Sequence, residues 1–205
     1  MSLWNLVNVY LFSYYIFTVY YYVLSDKRKY QKKYQSIVQA VLVIIGVYYA
    51  KVGSISDIIM YSILSLIYFP FMVAFNSPNF TFVLTYKFRI YEWIKSLFPF
   101  NKQIMMTLIQ TLVEELVWRS AFIYICNHFG FTTFQILVTG SLLFYLTHLD
   151  LSKKIIILSE FELLVFSFIL YLIFISSESI MTVWIIHFMR NSYLQFIKNV
   201  KIKSA

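Results

Sequence analysis

The chain has 205 residues, 60% of them apolar, 21% aromatic and 13% charged, and 17 Lys+Arg against 9 Asp+Glu give a net charge of +8; its mean hydropathy is +0.73. A soluble domain carries about 25% charged and about 45–50% apolar residues, so an ordinary soluble fold is excluded, and so is disorder, which needs low hydrophobicity and high charge. Four Gly, three Pro and the single Cys126 exclude a linker-rich architecture, an internal disulfide framework and a cysteine-based zinc site, which leaves an all-α integral membrane protein of one domain, 1–205.

A helix needs about 20 apolar residues to cross the hydrocarbon core. Seven stretches meet or approach that length, at about 3–24, 35–50, 58–75, 103–126, 132–149, 155–175 and 179–197, so the expectation is a polytopic bundle of about seven transmembrane helices. The first stretch has no basic residue ahead of it and no small-residue cleavage site, and it reads as a retained helix rather than a signal peptide. The second is short and ends at Tyr48, Tyr49 and Lys51, a pattern of interfacial aromatics with a snorkelling lysine. Residues 87–100, KFRIYEWIKSLFPF, predict an amphipathic segment lying on the membrane surface. The sixth stretch carries Glu160 and Glu162 near its start, which predicts a later start with those carboxylates at the interface.

The basic residues cluster between the apolar runs, which argues for topology rather than nucleic-acid binding. Lys27, Arg28, Lys29, Lys32 and Lys33 follow the first run; Lys87, Arg89, Lys95 and Lys102 lie between the third and fourth. Lys153 and Lys154 lie between the fifth and sixth, and Lys198, Lys201 and Lys203 follow the seventh. All of these fall on one side if the spans alternate, and only Lys51 falls on the other. Positive charge stays cytoplasmic, so the expectation is a multi-pass cell-membrane protein with its N-terminus outside and its C-terminus inside.

Ionisable side chains within spans are costly and mark functional candidates. They are Glu114, Glu115 and Arg119 in the fourth span, His148 in the fifth, and His187 and Arg190, with Asn191, in the seventh. Glu115 and Arg119 are four apart and pair on one helix face. Glu114 points about 100° away and lacks that partner. Two adjacent carboxylates in low dielectric resist double ionisation, which suits Glu114 to act as a general base. His187 and Asn191 share a face, as do Phe144 and His148. One reading is a hydrolytic site in which Glu114 activates water while His148, His187 and Asn191 hold it, orient a carbonyl or stabilise an oxyanion. The other is interhelical hydrogen bonding that only holds helices together.

Glu114-Glu115-x-x-x-Arg119, Phe144-x-x-x-His148 and His187-x-x-x-Asn191 resemble, in that order, the three motifs of the CPBP (CAAX protease and bacteriocin-processing, or Abi) intramembrane proteases. The resemblance lies within a core of about 103–197. It implies an endopeptidase with catalytic Glu114, His148, His187 and Asn191, supported by Glu115, Arg119 and Phe144. The implied substrate is a membrane-associated peptide or protein, with bacteriocin self-immunity or peptide maturation as the physiological role and no nucleic-acid partner. No metal or other cofactor is assigned. Glu114, His148 and His187 are compatible with zinc by type, but the His-Glu-x-x-His signature of many zinc proteases is absent and a metal-free glutamate base is favoured. There are departures: Ser120 follows Arg119 where the family often has glycine, and FELLVFSFILYLIF, before the last motif, has none.

Other residues carry structural readings. His128 reads as an outer-loop histidine, Cys126 as packing, Arg190 as a snorkelling or carboxylate-paired side chain, and most Tyr and Phe as lipid-facing or interfacial. Ser120 and Ser141 lack a Gly-x-Ser-x-Gly context. The alternative functions are a non-catalytic immunity or scaffold protein that binds a bacteriocin or its receptor, and a proton-coupled transporter, which predicts repeats or broken helices that the sequence does not display.

Overall fold

The computed structural model describes residues 3–24, 32–76, 90–97, 102–148 and 157–204, and every described element is a helix. In chain order these are α1 (Leu3–Leu24), α2 (Lys32–Tyr49), α3 (Ile55–Asn76), the short α4 (Ile90–Ser96), α5 (102–128), α6 (Thr133–His148), α7 (Ile157–Ser177) and α8 (Ile180–Ser204). The seven longer helices coincide with the seven apolar stretches. Two contain a segment long and apolar enough to cross a membrane, Ile55–Met72 with mean hydropathy 1.6 and Ser159–Ser177 with 1.9; the apolar part of α2, Ser36–Tyr49, is shorter. α1–α3 expose Phe17, Ile44, Ile63, Ile67 and Phe71.

The core centres on α5. This helix is not uniform: Lys102–Glu115 is α-helical, Leu116–Ala121 forms a π-helical turn, and Phe122–His128 returns to α. Within the turn the Phe122 N–H reaches back five residues to Val117 O. Such wide turns re-aim side chains and are frequent at functional sites. Neighbouring helices brace it. Tyr15 of α1 donates its hydroxyl to Val117 O at 2.7 Å, Tyr171 of α7 donates to Trp118 O, and Ser120 donates to Gly46 O of α2 at 2.7 Å. Tyr15 and Tyr171 are fully buried, so these two phenols are polar anchors within the core rather than lipid-facing aromatics.

Gly46 and Gly140 bring helices into close approach, and Gly53 does the same for the corner before α3 against Ser179. A Cβ on Gly46 would lie 2.4 Å from Leu116 O, and one on Gly140 would lie 2.4 Å from the Tyr171 ring. The missing glycines at position 120 and in α7 are thus supplied by the facing helices. Because the atom opposing Gly46 is backbone, Gly46→Ala should force α2 off the π turn and destabilise by about 1–3 kcal/mol, as overpacking does. Thermal unfolding in detergent checks this; an unchanged midpoint would mean that α2 is free to shift.

The chain ends of the helices bear on several sequence expectations. Lys51 is salt-bridged to Glu178, and Tyr49 stacks on Tyr124 at 3.8 Å between centroids, so this end is a tied corner rather than a lone snorkelling lysine. His128 contacts Asn5 Oδ1 at 3.1 Å on an exposed surface, and Cys126 is a buried free thiol. Of the surface segment 87–100, only α4 and Leu97 are described. Trp93 there is buried against Met72 and Tyr193 and donates to Ser192 Oγ at 3.2 Å, while Tyr91 is exposed. The clusters at residues 27–29 and 153–154 lie outside the described residues, as does any extension of α6 through Asp150 and Leu151. The expectation for Glu162 is corrected: it is 1% exposed, because it forms an ion pair with Arg190 of α8 instead of reaching water.

Candidate active site

α5 and α8 pack side by side, which brings the first and third motifs together. Glu115 and Arg119 are fully buried and His187 is 3% exposed. Arg119 Nη1 donates to Glu115 Oε1 at 3.1 Å, the intrahelical pair expected from the spacing. The same carboxylate oxygen accepts from His187 Nδ1 at 2.5 Å. On the other side of the imidazole, Nε2 lies 3.6 Å from Glu114 Oε2, an ion-pair distance longer than a hydrogen bond. The ring of His187 therefore stands between two adjacent glutamates. A carboxylate only accepts, so Nδ1 carries a hydrogen and Nε2 faces Glu114. Glu114 is the accessible member, with its side chain 16% exposed, and its Oε1 accepts from Gln110 Nε2 at 2.9 Å.

The second motif closes the site from α6. The Phe144 ring is fully buried and touches each neighbour: its centroid is 4.3 Å from that of His148, 6.0 Å from that of His187 and 4.4 Å from the Arg119 guanidinium carbon. The Tyr171 ring covers Arg119 at 4.9 Å. Two aromatic faces thus stabilise the buried guanidinium by cation–π attraction, although Arg119 Nε and Nη2 and Glu115 Oε2 have no hydrogen-bond partner among the described residues. His148 is exposed at the helix end, with Nδ1 directed at Phe144 O at 2.8 Å. Since a carbonyl only accepts, this nitrogen is the protonated one. Asn191 is half-buried, one turn beyond His187 on α8, and its Oδ1 accepts from Arg190 Nη1 at 3.1 Å.

All seven motif residues thus lie on three neighbouring helices around Phe144 and His187. Sequence reasoning missed the Glu115–His187 bond, which joins residues 72 apart. It also missed Gln110, although its four-residue spacing from Glu114 is a visible signal, and it read Arg190 as snorkelling or carboxylate-paired without naming Glu162 as the partner. Among the described residues no three His, Cys, Asp or Glu side chains are gathered so as to hold a metal ion. Of the set Glu114, His148 and His187, His187 Nε2 faces Glu114 Oε2 at 3.6 Å, and His148 turns its Nδ1 to Phe144 O.

Residues 96–193, just under half of the chain, match the model of a CAAX-protease family, and they hold all three motifs. That family is described as Type II CAAX prenyl endopeptidase Rce1-like, which bears out the resemblance read from the motifs. No curated protein and no solved structure matches the chain.

Proposed function

We propose that the chain is an intramembrane endopeptidase that cleaves a membrane-associated peptide or protein with water activated by Glu114. The carrying observation is the His187 imidazole seated between buried Glu115 and accessible Glu114. Two chemically identical carboxylates thereby receive different tasks. Glu115, held by Arg119, fixes the His187 tautomer, as a carboxylate behind a catalytic histidine does. Glu114 takes a proton from water, whose oxygen adds to the scissile carbonyl. His148, with its Nδ1 hydrogen committed to Phe144 O, offers Nε2 as an acceptor that orients the same water. Asn191 donates its carboxamide N–H to the developing oxyanion, a contact that strengthens in the transition state. Collapse of the tetrahedral intermediate breaks the C–N bond, and the proton held by Glu114 passes to the leaving amine. His187 Nε2 stands beside that proton. The four basic clusters support an orientation with the N-terminus outside and the site opening towards the cytoplasm. A role in bacteriocin self-immunity or peptide maturation fits a small enzyme of this kind.

A comparative peptidome tests the reading. The gene is deleted in its host and restored as wild type or as Glu114→Ala at equal membrane abundance, and membrane and secreted peptides are recorded by mass spectrometry. A fragment present only with wild type is expected. Identical peptidomes, with the host phenotype rescued by both proteins, would favour a non-catalytic binding protein instead.

A further inference from the structure

One buried charge pair has no part in the chemistry above. Arg190 is 6% and Glu162 1% exposed. Arg190 Nε donates to Glu162 Oε1 at 3.0 Å and Nη2 donates to Oε2, a bidentate fork. Tyr68 of α3 donates to Glu162 Oε1 at 2.6 Å, and the Phe166 ring of α7 lies under the guanidinium at 4.5 Å. The same Phe166 ring sits 5.6 Å from the His187 ring. Three helices therefore immobilise one guanidinium beside the site. Its remaining nitrogen, Nη1, donates to Asn191 Oδ1 at 3.1 Å.

Resting on the reading of Asn191 as oxyanion donor, we infer that Glu162 and Arg190 are positioning residues that lock the Asn191 carboxamide with its NH2 group presented to the reaction site. The argument is one of donors and acceptors. A guanidinium has five N–H donors and no acceptor, so the carboxamide atom facing Arg190 is the oxygen. Both hydrogens on Nδ2 are then left for another partner, and among the described residues Nδ2 donates to none. A carboxamide without this clamp flips about its last side-chain bond. In the flipped state it presents an oxygen to the oxyanion, which repels it. The clamp thus removes the unproductive half of the rotamer population before substrate arrives, which is preorganisation of an oxyanion donor. Tyr68 extends the restraint to α3 by fixing Glu162.

The test separates this role from that of a mere interhelical ion pair. The full chain is labelled with 15N-asparagine, purified in detergent micelles, and the Asn191 side-chain amide is assigned by its loss in Asn191→Asp. The charge-swapped double variant Glu162→Arg/Arg190→Glu restores an ion pair but gives position 190 an acceptor. Its folded yield should recover relative to Arg190→Glu alone, while the Asn191 15N signal moves. The apolar double variant Glu162→Met/Arg190→Met keeps packing without either charge and should move the same signal. On the fragment-yielding substrate of the peptidome, both should lose about tenfold to a hundredfold in kcat at little-changed KM, less than outright removal of an oxyanion donor. An Asn191 signal unmoved in either folded variant overturns the clamp, and so does kcat restored by the charge swap. The amide signal needs no substrate, so it decides the clamp even if Glu114→Gln cleaves normally and the hydrolytic reading falls.

Discussion

Glu114→Gln is expected to abolish most turnover while leaving the folded protein intact. The substitution is isosteric, and the glutamine keeps an oxygen that Gln110 Nε2 can still reach from one turn away. Glu114 is also the more accessible of the two glutamates, so its neutralisation leaves no buried charge unpaired. What is lost is the ability to take a proton from water. General-base catalysis contributes about 10²–10⁴-fold, and single-turnover cleavage of the wild-type-specific substrate should fall by that range, with the unfolding midpoint unchanged. A rate within a factor of about two of wild type would end the assignment of Glu114 as the base.

Arg119→Ala is expected to act in the opposite manner, on the fold first. Its guanidinium is fully buried, donates to Glu115 and is covered by Phe144 and Tyr171. Truncation leaves Glu115 buried without its cation and opens a gap between the two rings. Breaking a buried pair by removing one partner costs about 3–5 kcal/mol, and folded yield and unfolding midpoint in detergent should drop accordingly. Glu115→Gln/Arg119→Met, which removes both charges, should recover much of the stability but not turnover, because a neutral carboxamide holds the His187 tautomer only weakly. Wild-type stability in Arg119→Ala would show that His187 alone suffices to hold Glu115.

These two residues lie five positions apart on one helix, and their separate fates illustrate how much of the site was legible in the chain. The pairing of Glu115 with Arg119 follows from helical spacing, because residues four apart share a face whatever surrounds them. The contrast between Glu114 and Glu115 follows from the same geometry. Glu162 shows the opposite situation. Its place near the start of an apolar run suggests the interface, yet Arg190 lies 28 residues ahead and across a helix–helix boundary. Nothing local distinguishes a carboxylate that reaches water from one that meets a guanidinium. Tyr15 and Tyr171 were likewise opaque, since a phenol within an apolar run looks the same whether it faces lipid or braces a carbonyl.

The sequence by itself determined the class of molecule: long apolar runs with few charges permit only helices, because backbone groups unsatisfied within the segment are too costly in hydrocarbon. It also determined which residues are candidates, because a polar side chain in such a run is conspicuous. The tertiary structure decided which candidate meets which. It put His187 between two glutamates, turned the carbonyls of a π turn towards two tyrosines, and aimed a guanidinium at the oxygen of Asn191. The physical reason is range. Helical periodicity is a local property of a few residues, whereas the partner of a buried polar group is selected by helix packing, where Gly46 and Gly140 set how closely the helices approach.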